Sequence, residues 1–170
     1  MEAPARFFAW VNAEGNRAEQ NDDSTAAGYT LTSWGGTLGA GMQVNNQLTL
    51  GLALTAMYGD LTASGPETHA EGDMDTYYAT LLARYAKSAW THTFVATAGL
   101  SDITLDRTVL GEEIEGETDG VSFGLMYEVG RVFALTEDGS TCLQPVFNVT
   151  WKHTSIDAYT EDGSDLEIGR

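Results

Sequence analysis

The residues of this chain with the capacity for reaction chemistry are few and scattered. His69, His92 and His153 lie far apart, and none is followed within five positions by a second histidine or a cysteine, the spacing of a zinc site. Asp73-x-Asp75 and Asp162-Gly163-Ser164-Asp165 lack the further ligands of a dedicated calcium loop. There is no Gly-x-Ser-x-Gly nucleophile elbow and no glycine-rich phosphate loop ahead of a helix. Cys142 is the one cysteine, cannot form an internal disulfide, and reads as a small apolar residue. These residues predict no enzyme, no cofactor and no metal centre. What stands out is three charges, Arg84, Glu128 and Lys152, isolated on otherwise neutral polar stretches. Facing a lumen, they would set its field, or they would satisfy one another as structure.

The elements that must position them are strands. Period-two alternation runs nearly everywhere and helical periodicity is almost absent. The alternation predicts about eight strands, near 5–17, 28–44, 47–61, 74–87, 90–107, 120–135, 142–157 and 166 to the end. The third is the clearest: Leu48, Leu50, Leu52, Leu54, Ala56 and Tyr58 oppose Gln47, Thr49, Gly51, Ala53 and Thr55. Many runs exceed the 3–10 residues usual in soluble proteins, and a bilayer-spanning strand needs about 9–11. Short turns at Asn45-Asn46, Lys87-Ser88-Ala89 and Thr136 to Thr141 alternate with long polar stretches near 18–27, 62–73, 108–119 and 158–165. Outer-membrane barrels show that asymmetry.

Charge adds geography. The 170 residues carry 25 acidic and 8 basic side chains, a net charge of −17, which speaks against phosphate contacts and so against nucleic acid. Only 19% of residues are charged, so the chain is short of bases rather than rich in charge. Twenty of the 25 acids fall in or near the long stretches, which predicts one acidic rim. Such a rim offers loose binding to divalent cations.

A soluble ligand-binding barrel would alternate too. Its water-facing side, however, would be rich in Lys, Glu, Asp and Arg. Here the less apolar face is mostly Gly, Ser, Thr, Ala and Gln, which suits a crowded, hydrated lumen. The apolar face carries almost no charge; Arg131 is the main exception and is expected to snorkel near a strand end. Trp34, Tyr58, Tyr77, Tyr85, Trp90 and Trp151 cluster toward strand ends and are expected to form interfacial girdles.

From Gly120 onward a series of motifs follows in order. Glu128-Val-Gly130 is followed by a turn, then Leu143-Gln-Pro145 running into Trp151, then Tyr159-Thr-Glu161 and Leu166-Glu-Ile168. Upstream, Ser33-Trp34-Gly35-Gly36 to Gly41, Leu50-Gly51-Leu52-Ala53 and Asp73-Met-Asp75-Thr-Tyr77 add to it. The series resembles the C-terminal translocator β-domain of autotransporters, the type V secretion proteins of Gram-negative bacteria. The resemblance implies an all-β, antiparallel up-and-down transmembrane-type β-barrel, with about eight strands present of a probable twelve. Residues 1–170 would form a single, partial β-barrel domain. It further implies an outer-membrane location and a role in anchoring and translocating a passenger. The partners implied are outer-membrane lipid, the barrel-insertion machinery and the passenger polypeptide. Leu166 to Arg170 reads as a strand cut short; the family's terminal aromatic strand and pore-threading helix are not seen, and Arg131 stands where the family commonly has Tyr. A complete eight-stranded barrel of the small structural or adhesin type, and a soluble barrel, stand as alternatives.

Overall fold

The computed structural model describes residues 6–22, 28–64, 68–109, 112–138, 140–158 and 160–162. The strands are β1 (Arg6–Gln20), β2 (Gly28–Gln43), β3 (Leu48–Ser64), β4 (Thr68–Lys87), β5 (Trp90–Val109) and β6 (Glu112–Arg131). Then come β7 (Phe133–Ala134), β8 (Cys142–Leu143), β9 (Val146–Ile156) and β10 (Thr160–Asp162). β1 to β6 pair antiparallel in chain order, and β9 and β10 both pair with β6. β1 lies at one edge and the β9–β10 line at the other, and the two edges are not paired with each other. β7 and β8 form a small hairpin outside the main sheet.

Side-chain size decides the two faces. In β3, Leu50, Leu52 and Leu54 are exposed, whereas Gly51 and Thr55 are half-buried and Ala53 is buried. The same parity holds across the sheet: Leu38, Leu81, Leu100, Phe123 and Trp151 project from one face, while Gly39, Thr76, Gly99 and Ser122 are buried on the other. Small side chains on one face and large ones on the other let the sheet curl toward the small side. We call these the inner and outer faces. Inside, hydroxyls pair along the ladder: Thr37 with Thr55 at 2.8 Å, Thr76 with Ser101 at 3.0 Å, and Thr80 with Thr97 at 3.2 Å. Each of these is also a directly opposed register pair.

Two glycine positions are there to make room. A Cβ on Gly39 would run into the Trp10 ring, which also reaches Gly51 on the next strand. A Cβ on Gly99 would run into the Tyr78 ring and come within 2.7 Å of Ser122 Oγ. Phe8 stacks on Trp10 at 5.8 Å and lies over Gly41. The inner face therefore carries large rings wherever the neighbouring strand presents a bare backbone.

The short turns form as expected. Asn45 Oδ1 accepts from the Gln47 and Leu48 amides at 2.8 and 2.9 Å. Ser88 takes φ 55°, which closes the tight turn into Trp90. Asp138 Oδ1 accepts from the Ser140 amide and hydroxyl at 3.1 and 2.9 Å. The Thr136 hydroxyl together with these Ser140 donors holds the Asp138 carboxyl below its ordinary pKa.

Three expectations are corrected. The long polar stretches near 62–73 and 108–119 are expected as loops, but their described residues 62–64, 68–73, 108–109 and 112–119 are paired ladder of β3 to β6. Glu115, Glu117 and Asp119 alternate there and are exposed, as solvent-facing strand residues are. The run 120–135 is not one strand, because β6 ends at Arg131, whose amide donates to Pro145 O. Nor is 142–157 one strand: Pro145 has no N–H to give the ladder and separates β8 from β9. Between β9 and β10 the register against β6 slips by one residue, a bulge. The strand expected from 166 onward lies outside the described residues.

Gly39→Val should displace Trp10 and cost about 1–3 kcal/mol of stability. Gly36→Ala, on the open outer face, should be near neutral. The thermal midpoint of the detergent-solubilised protein checks both; equal midpoints for the two variants would refute the packing role of Gly39.

Candidate functional site

The site is the wall itself, and the register places its residues in transverse rows. One inner row runs Thr49, Arg84, Thr93, Glu128, Asn148 across β3 to β6 and β9. Arg84 and Glu128 thus face the same side, with one strand between them. A second row runs Trp10, Gly39, Ala53, Thr80, Thr97, Gly124, Lys152. Lys152 therefore lies four residues further along the wall from Glu128. The structure brings Arg84 and Glu128 level but joins none of the three in an ion pair among the described residues. Phe8, Trp10 and Tyr78 are inner residues that sequence reasoning missed. The signal is bare backbone on the adjoining strand: Gly39 and Gly41 of β2 for Trp10 and Phe8, and Gly99 of β5 for Tyr78.

On the outer face the apolar belt ends at a sharp line. Tyr58, Asp75, Asp102 and Asp119 are direct cross-strand neighbours. Below that row lie Tyr77, Leu100 and Val121; above it lie Asp60, Asp73, Thr104 and Glu117, then Thr62, Glu71, Asp106 and Glu115. Above the line the inner face changes as well, to Leu31, Leu61, Met74, Ile103, Leu105 and the buried Ile114. The outer face changes from apolar to acidic at one level, while the inner face changes from small residues, hydroxyls and a few rings to mostly apolar side chains. Among the acids Asp73 titrates above its ordinary value. Loss of water around it is the largest cause. A proton shared with Asp60, its register partner, and the charges of Asp60, Asp106 and Glu71 push the same way.

The six ring residues distribute over the belt. Trp34 stacks on Tyr58 at 4.6 Å, and with Tyr77 they lie at the acidic margin. Tyr85 and Trp90 lie at the short-turn margin. Trp151 opposes Leu125 and is level with Leu81 and Ala96, in the middle of the belt rather than at a margin. The short-turn margin holds further partners. His92 Nδ1 is hydrogen-bonded to the Tyr127 hydroxyl at 2.8 Å, and His92 stacks on Trp90 at 6.4 Å. The Arg131 guanidinium sits 5.1 Å from the Trp90 ring centre and 4.6 Å from that of Phe133. Among the described residues no group of three or more His, Cys, Asp or Glu is arranged to hold a metal ion.

The Asp60–Asp73 pair makes a pH prediction. The folded pKa of Asp73 lies above the unfolded one, so the stabilisation is fully present below the ordinary carboxylate range and is lost as pH rises through the raised value. Asp60→Asn should return Asp73 toward ordinary titration and raise stability at neutral pH by roughly 0.2–0.5 kcal/mol, since the pair is exposed and screened. Carboxyl NMR titration of Asp73 reads the first effect and the thermal midpoint across pH the second; an unchanged titration would refute the pairing.

The translocator domain of autotransporter NalP from Neisseria meningitidis superposes with a TM-score of 0.70 at 17% identity, over 97% of this chain and 55% of that one. The ferric yersiniabactin uptake receptor FyuA from Yersinia pestis superposes with a TM-score of 0.52 at 11% identity, over 98% of this chain and 30% of that one. Both likenesses concern the fold, and the chain spans about half the length of the NalP domain. No curated protein matches the chain. Residues 9–169 match the family described as Autotransporter beta-domain. That match spans nearly the whole sheet of long antiparallel strands, and the chain belongs to the autotransporter beta-domain family.

Proposed function

We propose that this chain forms one side of an outer-membrane translocator barrel that anchors a passenger polypeptide and conducts it to the cell surface. The observation that carries the proposal is the height of the outer apolar belt. On β5 it runs from Trp90 to Leu100, ten residue steps, about 33 Å along the strand and about 25 Å along the membrane normal at the usual tilt. A lipid-facing band of an outer-membrane barrel has that height. Membership of the autotransporter β-domain family supports the location and the role. The partners would be outer-membrane lipid on the Leu and Phe face, the barrel-insertion machinery during assembly, and a passenger in the lumen, with no role for nucleic acid.

The mechanism is mechanical rather than catalytic. Paired strands keep every amide inside the wall satisfied, so the wall tolerates hydrocarbon on one side and a moving hydrated chain on the other. The Thr and Ser ladder offers short, mutually satisfied hydroxyls that hold a passing peptide only weakly. Arg84, Glu128 and Lys152 give the lumen charges of both signs.

An epitope placed ahead of Arg6 in the native gene tests the role. It should become accessible to antibody on intact cells while the barrel stays in outer-membrane fractions. An epitope confined to the periplasm beside a folded barrel would overturn translocation. Replacing Arg84 and Glu128 together with Gln should leave the barrel folded and change surface delivery of a charged passenger by severalfold, read by whole-cell labelling.

A further inference from the structure

The cations at the short-turn margin have no anion of their own. Acids outnumber bases 25 to 8, yet neither Arg131 nor Lys87 forms an ion pair among the described residues. Both project from the outer face, because Lys87, Trp90 and Arg131 form one transverse row. Glu128 belongs to the inner face, and Asp138 Oδ1 is already engaged by Ser140. The Arg131 guanidinium lies between the Trp90 and Phe133 rings and has no ion-pair partner among the described residues.

Deeper on the same face lies a groove of about 460 Å³. Ala79, Ala96 and Ala98 make its floor, and Leu81, Phe123 and Trp151 its walls. Arg131 and Leu125, which also lines it, are six residues apart on β6, about 20 Å along the strand and about 15 Å in depth at the usual tilt. That separation fits a phosphate at the margin and the middle of an acyl chain in the groove.

The geometry points to a site for one anionic phospholipid, its headgroup phosphate on Arg131 and Lys87 and one acyl chain in the Ala79–Ala96–Ala98 groove. The site rests on the membrane-barrel assignment proposed above. Short turns mark the periplasmic end of such barrels, so the ligand belongs to the periplasmic leaflet. Charge complementarity selects the headgroup, and the groove selects a lipid over a free phosphate.

Native mass spectrometry of the full protein, extracted from membranes in mild detergent and supplied with phosphatidylglycerol or phosphatidylcholine, tests this. The wild type should retain phosphatidylglycerol in preference to phosphatidylcholine. Arg131→Gln with Lys87→Gln should lower that retention about tenfold or more. Ala98→Phe, which fills the groove and spares both cations, should lower it several-fold as well. Equal retention by wild type and both variants overturns the site. Loss with the cation variant alone, together with displacement of the lipid by millimolar inorganic phosphate, also overturns it, since a bare phosphate site would then suffice. Alkaline washing of the membranes separates the two proposals. A wild-type protein stripped from the washed membrane overturns the barrel assignment and the site with it. A retained protein with no lipid preference overturns the site alone.

Discussion

Backbone amides cannot go unpaired in hydrocarbon, and that constraint fixes everything else in this wall. The ladder from β1 to β6 is continuous over 15 to 20 residues per strand. Once pairing is that long, register is no longer adjustable, since a slip of one residue would send Leu50, Leu52 and Leu54 inward and Gly51, Ala53 and Thr55 into lipid. Register in turn lines residues of distant sequence into rows. Tyr58, Asp75, Asp102 and Asp119 come from four strands, yet they draw one line. The line between the apolar and acidic parts of the outer face is thus set by the hydrogen-bonded register of four strands.

The strands do not stop at that line. β4, β5 and β6 continue past it with the outer face acidic and the inner face mostly apolar. Solvent there lies outside, where Glu71, Asp106 and Glu115 stand, so the apolar residues turn inward and Ile114 becomes buried. Leu105 lies against Gly72, and Met74 near Gly59, as a thin interior for the projecting hairpins. A single backbone pattern thereby serves two solvents, with composition alone changing over between one row and the next. The acid excess follows from this: a sheet projecting into water must cover its outer surface, and here carboxylates do so.

The alternation of leucines in β3 reveals both a strand and the face it shows, because one strand's own residues contain that information. The Glu128-Gly130 and Leu143-Pro145 motifs reach further and point to the family. The acidic stretches mislead because charge and turn residues are read as loop, although Glu113, Glu115, Glu117 and Asp119 alternate as a strand does. Where β6 ends is hidden, since that depends on Pro145, fourteen residues on. The level shared by Arg84 and Glu128 is hidden too. It depends on two turn lengths and two registers together, none of which a single strand displays. Trp151 shows the same limit: its distance from the strand end suggests a margin, but its partner Leu125 puts it mid-belt.

The inner wall is uneven. Along β1 to β3 the face is filled by Phe8 and Trp10 lying over Gly39, Gly41 and Gly51. Along β4 to β6 it is mixed: paired Thr and Ser hydroxyls and the level Arg84 and Glu128 alternate with the Tyr78 ring against Gly99 and with the apolar row Leu82, Val95 and Met126. Rings thus lie over bare backbone on both parts of the wall, and hydroxyl pairs, Thr37 with Thr55 among them, lie between them. The two edges left unpaired among the described residues, β1 and the β9–β10 line, differ on that face: β1 carries Phe8 and Trp10 beside Asn12 and Glu14, and β9 carries Asn148, Thr150 and Lys152.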